Sequence, residues 1–190
     1  MTNDTAAVRE SAPRFGPREA VDRQREEFGG FSWGADFFGW LSAVGVATLL
    51  TALLAATGAA IGLTDTTDAS STVGIVGGAA LLIILTLAYY CGGYVAGRMA
   101  RFNGMRQGIA VWLIGLAVTI VLAVAGVVFG AQYNVLSGLR LPRIPVGEGS
   151  LTTGGLIALA AVLVGTLLAA IAGGKAGTHF HRKVDRVGLR

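Results

Sequence analysis

His179 and His181, with Asp185 close behind, are the nearest this chain comes to a set of metal ligands. On a helix, residues two apart point about 200° from one another, so these two imidazoles cannot chelate one ion. His181 and Asp185 share a face at i, i+4, a spacing that suits a surface hydrogen bond. No third ligand stands at a sensible distance along the chain, so no metal site is expected. Tyr89, Tyr90 and Cys91 could form a small polar pocket, although an adjacent tyrosine pair near one end of a span more commonly marks an interface. Cys91 is the single cysteine, which excludes an intrachain disulfide.

A transporter or proton pathway normally places ionisable groups inside the membrane. Here the apolar stretches hold none deeper than their ends; Lys175 comes nearest, where a long side chain can snorkel to the headgroups. The interior polar residues are Thr48, Thr51, Thr86, Tyr89, Tyr90, Thr119 and Thr166. Threonine usually bonds back to its own helix, so satisfied packing is preferred over a polar conduit. No Walker loop, zincin motif, nucleophile elbow or haem-attachment motif occurs. An intramembrane hydrolase needs Ser–His, Asp–Asp or His–Glu within the bilayer, and no such set is present. No catalytic residues, no cofactor and no enzymatic activity are expected.

Four apolar stretches, residues 37–64, 69–97, 107–139 and 149–174, contain no charged side chain. Each exceeds the ~20 residues that a helix needs to cross a hydrocarbon core about 30 Å thick. Lipid offers backbone groups no partner except the helix itself, so the stretches must be helical. The expected fold is all-α: a polytopic membrane protein with four transmembrane helices over about 36–63, 73–99, 106–132 and 151–176. With 190 residues and 53% hydrophobic content, the chain has no room for a separate soluble catalytic domain. The organisation is a 1–34 arm with a short surface helix over 17–28, a 35–182 transmembrane domain and a 183–190 tail. The first 36 residues are polar and the span that follows is too long for a signal h-region, so it is expected to act as an uncleaved insertion signal.

Charge sets the orientation. Arg9, Arg14, Arg18, Arg23 and Arg25 precede the first span; Arg98, Arg101 and Arg106 crowd the second connection; Lys175, Arg182, Lys183, Arg186 and Arg190 mark the last exit. The first connection holds Asp65 and Asp68 and no cation, and the third only Arg140 and Arg143. By the positive-inside rule both termini and the middle connection are cytoplasmic. Arg98, Arg101, Arg106, Arg182 and Lys183 are then the candidate lipid-headgroup residues, and the formal charge of +4 points to anionic lipid rather than nucleic acid. Trp33, Trp40 and Trp112 are the expected interface anchors, within an aromatic belt that includes Phe28, Phe31, Phe37 and Phe38. The turn between spans two and three centres on Asn103–Gly104, where glycine can take positive φ. Residues 132–150 form the outer loop; Pro142 and Pro145 forbid a regular helix, and an interfacial connector is preferred over a lid or partner site.

The ends of spans two and four match each other. CGGYVAGRMARF (91–102) aligns with AGGKAGTHFHRK (172–183), pairing Gly93 with Gly173 and Gly97 with Gly177. The chain thus reads as two tandem hairpins inserted in the same orientation, related by an axis along the membrane normal. Small residues recur every fourth position, at Gly39, Ala43, Ala47, Thr51, Ala55 and Ala59, and again at Ala161, Gly165, Ala169, Gly173 and Gly177. Such rows let backbones approach closely, which in lipid replaces the missing hydrophobic drive. Gly93, Gly97, Gly173 and Gly177 are the candidate packing residues.

The segment GGYVAGRMARFNGMRQGIAVWL (92–113) resembles the corresponding stretch of YrzE-like small bacterial membrane proteins. There a Gly-Gly-x-x-x-Gly-Arg span end leads through a short basic turn into a glycine-containing span. The resemblance implies a four-span membrane fold and brings no catalytic residues. The long arm with FGGFSWG departs from the shorter family members. Taken together, the residues lead to a protein of the bacterial cytoplasmic membrane that acts through helix packing and association with lipid or protein. Its expected partners are anionic lipids and a second copy or another membrane protein. The alternative is a small channel or transporter formed by the bundle or its oligomer.

Overall fold

The computed structural model describes residue 23, residue 30, and residues 32–60, 71–100, 103–133 and 153–187. The outer loop over 134–150 and, apart from Arg23, the short helix expected over 17–28 lie outside the described residues. Four helices make up the described chain: α1 Trp33–Ala60, α2 Ser71–Met99, α3 Gly104–Tyr133 and α4 Thr153–Val187. All four are long and apolar enough to cross a membrane. That is the architecture of a multi-pass membrane protein.

The helix ends follow from local chemistry. Asp36 sits in the first turn of α1 and Arg98 in the last turn of α2, each complementing the partial charge of its helix end. The turn from α2 to α3 closes on Asn103, which has φ 62°. The left-handed residue is thus the asparagine, while Gly104 begins α3 as an ordinary helical position. Asparagine tolerates this region because its short side chain can bond locally. The Asn103 carbonyl accepts from the backbone N–H of Arg106 at 2.9 Å and of Gln107 at 3.3 Å, so the same residue opens the next helix.

The glycine contacts fix how the helices run. Gly39 faces Ala96 while Ala43, one turn later, faces Gly92, which makes α1 and α2 antiparallel. Gly104 meets Gly174 and Gly108 meets Ala170, so α3 and α4 are antiparallel as well. Gly93 against Ala170 and Gly97 against Gly174 make α2 and α4 parallel. The α2–α4 and α1–α2 interfaces are the most extensive, and among the described residues α1 makes no interface with α4.

The core is made of small residues. Its buried apolar members are Ala35, Ala43, Ala88, Ala96, Ala100, Ala110, Val111, Ala169 and Ala170. Large side chains point outward, Leu49 at 72% exposure and Leu168 at 60% among them. In water this distribution would forfeit most of the hydrophobic driving force. In lipid the tails are as apolar as leucine, so close backbone approach through small residues is what holds helices together.

Among the described residues, burial is also confined to one end. It covers Ala35 to Ala43 of α1, Ala88 to Ala100 of α2, Gly104 to Gly115 of α3 and Thr166 to Thr178 of α4. Toward the other end Leu53, Val76, Val121, Val124 and Ile157 are all exposed. The bundle therefore has a tight end, around the Asn103 turn, and an open end.

Candidate functional site

Two arrangements concentrate at the tight end. The first is the glycine seam. A side chain on Gly93 would overlap the Ala170 carbonyl, one on Gly97 the Gly174 carbonyl, one on Gly173 the Tyr90 carbonyl, and one on Gly177 the Tyr94 carbonyl. These contacts are reciprocal. The offset that carries Gly93 onto Gly173 also carries Tyr90 onto Ala170, so each helix presents to the other what it receives. The seam extends to three helices at Gly174, whose carbonyl faces both Gly97 of α2 and Gly104 of α3. Gly108 lies against Ala170 one turn further along α3. A fourth contact joins α1 to α2, where a methyl on Gly39 would stand 2.7 Å from the Gly92 carbonyl oxygen.

The threonines are mostly turned back on their own helices, the exposed Thr48 and Thr119 as well as the more enclosed Thr86 and Thr166. Thr48 donates to the Val44 carbonyl at 2.8 Å, Thr86 to Leu82 at 2.7 Å, Thr119 to Gly115 at 2.8 Å and Thr166 to Val162 at 2.6 Å. A side-chain bond between helices is made by the Trp112 indole N–H, which donates to Thr166 Oγ1 at 3.1 Å. Trp112 is thereby tied to α4. Trp33 is exposed at the start of α1 and Trp40 is half-buried. Tyr89 extends its hydroxyl toward Gly115, where Trp40 also reaches, so α1, α2 and α3 meet there.

The second arrangement was not foreseen from the sequence. Asp36 of α1 is 1% exposed and Gln107 of α3 is completely buried. Neither carboxyl oxygen of Asp36 has a hydrogen-bond partner, and the side-chain oxygen of Gln107 has none either. The amide nitrogen of Gln107 is engaged, donating to the Gly30 carbonyl at 3.3 Å. Buried polar atoms without partners are rare in folded proteins, because each forfeits its hydration without return. A signal for Asp36 did exist. It lies three residues before Gly39 and seven before Ala43, on the stripe that the small residues mark for packing. Gly104 and Gly108 likewise form a Gly-xxx-Gly pair that basic neighbours disguised.

The basic candidates divide. Arg98 is half-buried, Arg106 is exposed, and Lys175 is exposed on α4. Arg182 and Lys183 belong to the α4 backbone, which continues to Val187, while Arg101 lies outside the described residues. Cys91 is half-buried and free. Among the described residues no group of three His, Cys, Asp or Glu could hold a metal ion. Comparison with family models, with curated proteins and with solved structures gave no match.

Proposed function

We propose that this is a non-catalytic protein of the bacterial cytoplasmic membrane that works by association within the bilayer, with itself or with another membrane protein. One observation carries the reading: among the described residues, four helices are locked at one end by glycine contacts while apolar side chains toward the other end, Leu53, Val76, Val121, Val124 and Ile157 among them, are exposed. A surface of this kind is covered by lipid or by protein, and helices held rigidly at one end present it in a fixed shape. The reciprocal α2–α4 contacts support two tandem hairpins, with both termini and the Asn103 turn on the cytoplasmic side by charge. The YrzE-like resemblance of residues 92–113 belongs to the same proposal, as do anionic lipids at Arg98, Arg101, Arg106, Arg182 and Lys183.

The test is the oligomeric state in lipid. Fluorescently labelled protein in vesicles, counted by single-molecule photobleaching over a range of protein-to-lipid ratios, should show more than one copy per complex, with the proportion falling on dilution. Single copies at every ratio would remove self-association and leave a heterologous partner, to be sought by crosslinking in native membranes. The second reading, a small channel or transporter, draws on the buried Asp36 carboxyl. Solute flux into vesicles containing the purified protein distinguishes it from pure association.

A further inference from the structure

We propose that Asp36 and Gln107 form a binding site for one small monovalent cation, a proton or Na⁺, between α1 and α3 at the tight end. The two residues stand at the same level. α1 and α3 run parallel and touch where Gly39 meets Val111: a methyl on Gly39 would lie 2.8 Å from Val111 Cγ2. Asp36 is one turn before Gly39, and Gln107 one turn before Val111. Both are also anchored to the stretch that leads into α1. The Asp36 backbone N–H donates to the Ser32 carbonyl at 2.9 Å, and the Gln107 amide donates to the Gly30 carbonyl.

The atoms left over define the ligand. Three buried oxygens, two from Asp36 and one from Gln107, accept and have nothing to accept from. The Gln107 amide cannot be turned round to change this, since its oxygen would then face the Gly30 carbonyl. What is missing is therefore a donor or a positive charge. Size excludes a guanidinium or an organic ammonium, because Asp36 is 1% exposed and Gln107 fully buried. A divalent cation is excluded by charge: the single Asp36 carboxylate would leave one of its two charges uncompensated among buried atoms. A proton fits directly: taken up from water on the side where α1 begins, it bonds to one Asp36 oxygen, and the resulting O–H can donate to Gln107. A sodium ion would be held by the same oxygens without a covalent bond.

Among the described residues, no charged group gives either Asp36 oxygen a hydrogen bond. On α2, whose Ala96 and Ala100 are buried here, Arg98 is half-buried and engaged, as is Arg23 in the arm before α1. On α3, Arg106 precedes Gln107 and is exposed. On α1 itself, Asp36 is the only ionisable side chain, since the helix otherwise runs from Trp33 to Ala60 without one.

The experiment is infrared difference spectroscopy on the full-length protein in nanodiscs, recorded across pH in sodium-free buffer and again with added Na⁺. A carboxylic acid C=O band that is lost as pH rises, and that is absent from Asp36→Asn, assigns the proton. If Na⁺ at constant pH removes the same band, the ion competes for the same oxygens and is itself a ligand. Gln107→Leu, which deletes the acceptor, should shift the band to the frequency of a carboxyl lacking a hydrogen bond. Asp36→Asn resembles the proton-loaded side chain in shape and charge, so it should melt no lower than wild type at neutral pH, and that melt doubles as the folding control. An unchanged spectrum in the carboxyl region for wild type and Asp36→Asn, at every pH and with Na⁺, overturns the proposal. So does a well-folded Gln107→Leu that leaves the Asp36 band where it was.

Discussion

At the scale of single residues, two side chains set the geometry of the tight end without any charge. Trp112 and Thr166 make a side-chain hydrogen bond between helices, across the α3–α4 contact. Hydrogen bonds between membrane helices average about 0.6 kcal/mol and reach about 1.7. A double-mutant cycle of Trp112→Phe and Thr166→Val should therefore return a coupling in that range, read from unfolding by denaturing detergent. Additive effects would mean that the bond contributes nothing beyond shape. Asn103 offers a second check. Its φ of 62° costs a branched residue about 1–2 kcal/mol, so Asn103→Val should destabilise the protein by that amount while Asn103→Gly stays close to wild type. The sequence located this turn but placed the left-handed position on the glycine; the chain instead starts α3 there, because Gly104 must lie flat against Gly174.

At the scale of elements, the α2–α4 seam is what makes four spans one body. Gly97→Leu and Gly177→Leu force a branched side chain into a backbone carbonyl and should lower stability in detergent by about 1–3 kcal/mol. Gly78→Leu and Gly154→Leu lie on the same two helices with open space around them and should be near neutral. Leucine favours membrane insertion at all four positions, so a difference between the pairs isolates packing. Equal melting of all four variants would show that the seam carries no stability. The four candidate glycines were legible because the pattern repeats beside a basic exit at both helix ends. Gly104, Gly108 and Gly174 were not, since which helix a third glycine row faces depends on how α3 is rotated about its axis.

For the whole molecule, orientation and lipid contact are the properties to measure. Cysteines placed at Asn103, Ser11 and Ser70 in a Cys91→Ala background can be labelled with an impermeant thiol reagent. In intact cells Ser70→Cys should react, and Asn103→Cys and Ser11→Cys should react only after lysis; the reverse pattern would invert the topology. Replacing Arg98, Arg101, Arg106, Arg182 and Lys183 together by Gln should deplete co-purifying anionic phospholipid, each charge contributing about 1 kcal/mol near such a surface. An unchanged lipid complement would confine these residues to setting orientation.

Span number and helical state were decided by the sequence alone, because they rest on quantities that sum along the chain. About twenty uncharged apolar residues outweigh the cost of insertion whatever their neighbours are, and a backbone in lipid has to bond to itself. Asp36 shows the limit of that reasoning. It lies just outside the first uncharged stretch, yet it is buried, because Gly39 and Ala43 draw the same face of α1 into the bundle. The confinement of packing to one end likewise belongs to tertiary structure. Small residues recur along the whole of α1, but a methyl on Gly39 would meet α2 and α3 while one on Gly45 or Gly58 would meet open space. Which face is buried, and over what length, depends on the rotation and register of several helices at once, and no single segment encodes that.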